Sequence, residues 1–226
     1  MIHKIGFING SPRPKSNCCS KMMIDYFSDM LEGAYETKYE IDSFNYESID
    51  TNEIFRNLAN CDVIVVVSPL YIDSLPSTLL KFLRMFELYY KEHHELFTQS
   101  TQLYGFLNCG FLGGEQNHVA LKVLINFATR MNYNWCAGLG LGSGAQFKST
   151  HGKVPPMSKM QAPIYAALHT FTTSIKEGTP TNEPHNLFYA SQGLSYFEFI
   201  SKTNIRWGAQ CKWDVKRLRY KPYVQK

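Results

Sequence analysis

The feature that most restricts the fold is the unbroken aliphatic run Val-Ile-Val-Val-Val at residues 63–67. β-Branched side chains favour strands. A strand without alternating polar residues is one that is covered on both faces, as in parallel sheets packed between helices. The run therefore predicts an α/β fold in which residues 61–67 form a buried strand of a parallel sheet.

Strand and helix patterns alternate along most of the chain. Strands are predicted at residues 3–8, 39–42, 61–67, 102–108 and 133–139. Apolar residues at helical spacing predict helices between them. The first helix is capped by Ser16 or Asn17 and ends near Gly33; another opens at Pro76 and carries Leu79, Leu80, Leu83, Phe86 and Tyr90 inward. Five alternations predict a doubly wound five-stranded sheet over residues 1–178, with residues 140–145 as a loop.

Residues 179–226 form a C-terminal extension that begins with a linker at 179–187. Residues 201–226 carry eight Lys or Arg and one acid within a chain of net charge +4. The many aromatic residues do not suit a disordered tail. We expect a strap, with a helix capped by Asn204, that packs its aromatics on the body or on a partner subunit and leaves Lys and Arg in solvent. An RNA-binding or membrane-surface segment is the alternative; we expect neither nucleic acid nor membrane as partner.

Composition limits the location of the protein and its cofactors. No apolar run reaches the roughly 18 to 20 residues needed to span a bilayer, and the N-terminus lacks a signal-peptide pattern. We therefore expect a cytoplasmic protein. Its six cysteines include no C-x-x-C pair, so we expect buried thiols and no metal site.

The loop at residues 9–17, Asn-Gly-Ser-Pro-Arg-Pro-Lys-Ser-Asn, joins the first strand to the first helix. Ligands of open parallel sheets bind beyond the carboxyl ends of the strands, and a helix N-terminus favours an anion. Ser11, Ser16 and Asn17 are hydrogen-bond donors, and Arg13 is a permanent cation suited to phosphate. The loop therefore predicts an anion site, or, as the alternative, a polar turn whose Ser and Asn only cap the helix.

Two more loops reach the same predicted edge. In the loop at 68–76, Leu70, Tyr71 and Ile72 offer apolar surface and backbone amides to a flat ring, or simply cover the end of the sheet. The loop at 108–116 has three glycines, which permit close approach to a ligand or form a long mobile turn. The G-x-G-x-x-A pattern at 140–145 follows the fifth strand, and we interpret it as a loop near the ligand.

These motifs resemble the NADPH-dependent FMN reductase branch of the flavodoxin-like flavoproteins. The resemblance rests on Gly10-Ser11-Pro12-Arg13-x-x-Ser16-Asn17, on Ser68-Pro69-Leu70-Tyr71-x-x-x-x-Pro76 and, more loosely, on the glycines at 110–114. It covers roughly residues 3–178 and implies a strand order of 2-1-3-4-5. The residues it places around FMN are Ser11, Arg13, Ser16, Asn17, Cys18, Pro69, Leu70, Tyr71, Ile72, Asn108, Cys109 and Gly110.

The function that the resemblance implies is NAD(P)H oxidoreduction with non-covalently bound FMN. Flavin N5 passes reducing equivalents to a quinone, a flavin or another small acceptor, so no side chain is assigned a catalytic role. The resemblance also implies a homodimer. The compact cysteine run of relatives with an iron–sulfur cluster is absent, and we expect no cluster. A flavodoxin-type electron carrier, and a relic fold that no longer holds flavin, are the alternative hypotheses.

Overall fold

The computed structural model describes residues 2–13, 18–45, 50–98, 100–180 and 184–210, which form six strands and seven α-helices. The strands are β1 (Ile2–Asn9), β2 (Tyr35–Asp42), β3 (Val63–Pro69), β4 (Gln102–Asn108), β5 (Asn134–Leu141) and β6 (Leu187–Ala190). The helices are α1 (Cys19–Met30), α2 (Thr51–Ala59), α3 (Ser77–Glu92), α4 (His118–Arg130), α5 (Gly144–Thr150), α6 (Ala162–Glu177) and α7 (Tyr196–Gln210).

The strands form one parallel sheet in the order β2-β1-β3-β4-β5-β6. The predicted order of the first five strands is confirmed. The expected strand count was wrong, because β6 pairs with the outer edge of β5 from Gly138 opposite Leu187 to Leu141 opposite Ala190. The sequence prediction ended the linker at residue 187, whereas β6 begins there. Four residues without alternation carry too little pattern to predict a strand whose partner lies far along the chain.

The alternation of side chains along β3 explains its uninterrupted aliphatic run. Ile64 and Val66 belong to the core cluster that includes residues of α2, α3 and α4. Val63, Val65 and Val67 belong to the cluster on the opposite face, with residues of α1, α5 and α6. Both faces of the central strand are therefore covered by helices, as the run predicted.

Three predictions at helix ends and faces were wrong. The N-cap of α1 is Cys18, whose sulfur accepts a hydrogen bond from the backbone N–H of Lys21 at 3.3 Å, and the predicted caps Ser16 and Asn17 lie outside the described residues. Pro76 precedes α3 as its N-cap rather than occupying its first turn. Leu80 is 37% exposed, because it is turned about 100° from Leu79 on the helix.

The C-terminal helix α7 begins earlier than predicted. Ser195 and Glu198 form a reciprocal capping box: the Ser195 N–H donates to Glu198 Oε2 at 2.7 Å, and the Glu198 N–H donates to Ser195 Oγ at 3.3 Å. Asn204 consequently lies inside the helix. The aromatic side chains of Tyr196 and Phe197 were expected to be packed on the body or on a partner, and both are largely exposed on this chain.

Candidate functional site

A cavity of about 800 Å³ lies at the edge of the sheet where β1, β3 and β4 end. Its volume falls within the range of roughly 300 to 1,000 Å³ that small-molecule sites occupy. Nine of the twelve residues predicted around the cofactor line it: Ser11, Arg13, Cys18, Pro69, Leu70, Tyr71, Asn108, Cys109 and Gly110. Ser16 and Asn17 lie outside the described residues. Ile72 is not part of the lining, and its side chain is fully exposed.

Hydrogen bonds fix the start of the loop that follows β1. The buried Asn9 Oδ1 accepts a bond from the Ser11 N–H at 3.1 Å, and Ser11 Oγ accepts one from the Arg13 N–H at 3.2 Å. Gly10 donates its N–H to the carbonyl of Val67 at 2.8 Å. A β-carbon at Gly10 would collide with Ser68. The loop therefore leaves the sheet at a defined point and carries Arg13 to the cavity.

The first turn of α1 contains a hydrogen-bond donor, the hydroxyl of Ser20, that the sequence analysis did not predict. Sulfur is a weak hydrogen-bond acceptor, so the Cys18 cap satisfies the first turn of α1 poorly. Ser20, in that turn, lines the cavity and is 1% exposed. Its hydroxyl has no hydrogen-bond partner among the described residues. Leaving a buried hydroxyl unpaired is unfavourable, and the positive end of the helix dipole favours a negatively charged partner for it.

The loop after β3 contains a tight turn that directs Ile72 away from the cavity. The N–H of Tyr71 donates to the carbonyl of Ser74 at 2.8 Å, and the Ser74 N–H donates back at 3.1 Å. Ile72 and Asp73, between them, have φ angles of 49° and 60°. The N–H of Leu70 is bonded to the carbonyl of Asn108 at 2.8 Å. Leu70 and Tyr71 are thereby held beside the end of β4.

Backbone bonds join the loop after β4 to the residues after β5. The carbonyl of Cys109 accepts from the Gly144 N–H at 2.9 Å, and that of Phe111 accepts from the Ser143 N–H at 2.6 Å. A β-carbon at Gly142 would meet the backbone of Leu112, whereas one at Gly110 would meet no atom within 4 Å. The 140–145 segment was predicted to be a loop. That prediction was wrong at both ends, because residues 140 and 141 end β5 and residues 144 and 145 begin α5. The glycines of the segment allow close backbone packing.

Three further cations line the cavity beside Arg13. Lys148 and Lys153 belong to α5 and the segment after it, and Arg206 belongs to α7. The described lining includes no Asp or Glu. The basic residues of the extension were expected to lie in solvent, but Arg206 is half-buried at the cavity. Its approach depends on the path of the chain after β6, which the sequence pattern does not reveal.

Two of the thiols at the cavity, Cys19 and Cys109, are held in their protonated form. Burial raises the pKa of the Cys19 thiol to about 12, although nearby Lys148 acts in the opposite direction. Burial also raises the pKa of Cys109. A thiolate is the nucleophilic form of cysteine, so neither thiol is set up for nucleophilic catalysis near neutral pH.

The described residues contain no group of three or more His, Cys, Asp and Glu arranged to hold a metal ion. They also contain no helix that is long and apolar enough to cross a membrane.

Residues 3–99 match the sequence model of the NADPH-dependent FMN reductase family. The chain resembles this family. The matched region, somewhat under half of the chain, contains the loops after β1 and β3 that carried the predicted resemblance, and the resemblance is thereby confirmed. The loop after β4, α5 and α7 lie beyond it. No curated protein sequence matches the chain.

Solved structures of three oxidoreductases share the fold. A NADH:FMN oxidoreductase in its apo form is 15% identical, with a TM-score of 0.57, covering 81% of this chain and 93% of that one. An NAD(P)H:quinone oxidoreductase from Methanothermobacter marburgensis is 11% identical, with a TM-score of 0.56 and coverages of 81% and 99%. An NADPH-quinone reductase from P. pentosaceus is 12% identical, with a TM-score of 0.53 and coverages of 80% and 99%. The flavodoxin-like fold is confirmed.

Proposed function

We propose that the protein is an FMN-dependent NAD(P)H oxidoreductase. The observation that carries this proposal is the single cavity formed by the loops after β1, β3 and β4, two of which lie in the region that matches the FMN reductase family. When bound, FMN supplies the redox chemistry, taking reducing equivalents from NAD(P)H and delivering them to a quinone, a flavin or another small acceptor.

The residues of the cavity fit FMN. The unpaired buried hydroxyl of Ser20 and the cation of Arg13 suit its phosphate, together with Ser11. Ser16 and Asn17, outside the described residues, belong to the same proposed phosphate site. The residues of the loops after β3 and β4 suit the isoalloxazine ring of FMN, with apolar surface on one side and loop backbone on the other. They are Pro69, Leu70, Tyr71, Asn108, Cys109 and Gly110.

The protein's own part in the proposed reaction is binding and orientation. Tyr71 lines the cavity and is 40% exposed, so its side chain is accessible to a second substrate. Reactant atoms must come within about 3 to 3.5 Å of each other for efficient transfer, and the hydrogen-bonded loops after β3 and β4 provide a fixed surface against which this can happen. The raised pKa of Cys109 keeps its thiol neutral. We assign no side chain a catalytic role.

Flavin binding and NAD(P)H turnover test the proposal separately. The purified protein, incubated with FMN and desalted, is expected to keep the visible absorbance of flavin, and NADH or NADPH is expected to bleach it without oxygen. A protein that retains no flavin contradicts the proposal. A yellow protein that neither nucleotide bleaches is an electron carrier instead.

The Arg13→Ala substitution tests the phosphate site. Loss of a charge-assisted hydrogen bond costs about 1.5 to 3 kcal/mol, which corresponds to FMN affinity roughly 10- to 150-fold weaker. Titration of the apoprotein with FMN, followed by fluorescence quenching, measures the change. Arg56→Ala is the charge-matched control, because Arg56 is exposed on α2 and does not line the cavity. Equal affinities in the two variants would refute the role of Arg13.

The identity of the acceptor, the homodimer and the cytoplasmic location remain predictions. Sedimentation of the purified protein tests the homodimer against the 26.0 kDa mass of one chain.

A further inference from the structure

The cavity carries more positive charge than FMN requires. Arg13, Lys148, Lys153 and Arg206 line it, and no acid is among its described lining residues. A phosphate monoester carries a charge of about −1.5 to −2 at neutral pH. Lys148 has an interaction of its own and is left out of this balance. One bound FMN then balances about two of the other three cations. The remaining charge favours a second anion in the same cavity.

Arg206 is held at the cavity by a contact between α5 and α7. The Nε2 atom of the buried Gln146 donates a hydrogen bond to Thr203 Oγ1 at 3.1 Å. Thr203 and Arg206 are three residues apart on α7 and so lie on the same face of the helix. The bond that fixes Thr203 against α5 thereby also directs Arg206 toward the cavity.

The guanidinium of Arg206 lacks a partner within the described part of the chain. Its Nε atom is buried without a hydrogen bond, and no ion pair joins it to a described acid. Arginine stays charged in proteins, and its fork of donors matches phosphate. A buried donor of a charged group without a partner is unfavourable, so this geometry favours an anionic ligand that accepts from Arg206.

We propose that Arg206, supported by Lys148 and Lys153, binds the 2′-phosphate of NADPH and makes the enzyme prefer NADPH to NADH. The proposal rests on the proposed function. A 2′-phosphate is a second phosphate monoester, and its negative charge suits the cation that FMN leaves unbalanced. Arg206 lies outside residues 3–99, so the preference originates in the C-terminal helix rather than in the part that matches the family.

Calorimetric titration of the FMN-loaded protein with NADP⁺ and with NAD⁺ tests this assignment. In Arg206→Ala, the Kd for NADP⁺ is expected to rise roughly 10- to 100-fold through loss of charge-assisted bonds, while the Kd for NAD⁺ changes less than about twofold. Arg206→Lys keeps the charge but not the fork, and its Kd for NADP⁺ is expected to lie in between. Lys202→Ala is the matched control, since Lys202 is an exposed cation of the same helix outside the cavity.

Other outcomes overturn the assignment. Equal weakening of NADP⁺ and NAD⁺ would place Arg206 at a group the two share, such as the pyrophosphate. Weakened FMN binding would place it in the flavin site, and unchanged affinities would remove it from binding altogether. Titration of the apoprotein with 2′,5′-ADP and 5′-AMP repeats the comparison without flavin. A protein that fails to bind FMN but discriminates between these two probes through Arg206 contradicts the proposed function and not this site.

Discussion

At the scale of single residues, Ile72 is the strongest departure from backbone preference. It adopts a left-handed conformation with φ of 49°, and the next residue, Asp73, does the same at 60°. Two-residue turns of this kind favour Asn-Gly, because a β-carbon is crowded there. A left-handed residue other than glycine costs about 1 to 2 kcal/mol. The side chain is 100% exposed, so packing within this chain does not offset that cost.

Replacing Ile72 with Asn is therefore expected to stabilise the protein. Asn tolerates the left-handed region, and we expect the free energy of unfolding to rise by about 1 kcal/mol, given the cost of that conformation for a β-branched residue. Urea denaturation measures it. Ile72→Val is the control, because it keeps the branched β-carbon and should give no gain. A destabilised Asn variant would show that Ile72 makes a contact which this chain alone does not explain.

At the scale of elements, local pattern predicted the helices and strands that carry strong periodicity. The five long strands and the parallel sheet follow from the aliphatic run at 63–67 and from helical spacing between strands, whereas the strand order came from the family resemblance. β6 and the early start of α7 were missed for different reasons. β6 exists through pairing with β5, a partner about 50 residues away, whereas α7 had a local signal in Ser195 and Glu198 that went unrecognised.

The residues of the candidate site likewise fall into those that the sequence predicted and those that it did not. Residues in loops directly after strands were predicted, because the ends of parallel strands share one edge. Ser20 was missed because a hydroxyl inside a helix resembles any other polar helix residue. Lys148 and Arg206 were missed because their positions depend on how α5 and α7 pack beside the cavity. No residue spacing in the sequence indicates that packing.

The packing between the loops after β4 and β5 leads to a prediction about Gly142. Its φ is not positive, so space and not conformation requires glycine: a β-carbon would meet the backbone of Leu112 and Gly113. Overpacking typically costs about 1 to 3 kcal/mol, and we expect Gly142→Ala to lower the free energy of unfolding by this amount. FMN affinity should fall as well, because the loop that carries Cys109 must move.

Gly110→Ala is the matched control for that experiment. A β-carbon there meets no atom within 4 Å, and alanine restricts the unfolded chain more than glycine does. We expect stability equal to or slightly above that of the unmodified protein in urea denaturation. If both variants lose stability equally, close packing does not explain the glycine at 142.

At the scale of the whole molecule, the free energy of unfolding depends on pH through a buried thiol that lies far from the candidate functional site. Cys61 lies two residues before β3, at the edge of the sheet opposite the cavity, and is fully buried. Its sulfur donates to the carbonyl of Asn57 at 3.3 Å. Burial, with the neighbouring charge of Asp62, raises the pKa of this thiol from 9.0 to about 12, against the opposing effect of Lys4.

The direction of this pH dependence follows from which state of the chain, folded or unfolded, keeps the Cys61 proton. Above pH 9 the unfolded chain releases the Cys61 proton, while the folded chain keeps it until about pH 12. The folded state then binds more protons, so stability falls as pH rises, by at most about 1.4 kcal/mol per pH unit from this group. Below pH 9 the thiol is protonated in both states, and its contribution does not change with pH.

The Cys61→Ala variant distinguishes the contribution of Cys61 to this pH dependence from the contributions of other groups that titrate at high pH. The variant loses packing at every pH by a constant amount, but its free energy of unfolding should decline less steeply between pH 9 and 12 than that of the unmodified protein. Urea denaturation at pH 7, 9, 10 and 11 gives both curves. Because the packing loss is constant, the gap between them should narrow as pH rises above 9. Parallel curves would mean that the Cys61 proton is released at the same pH in the folded and unfolded chains.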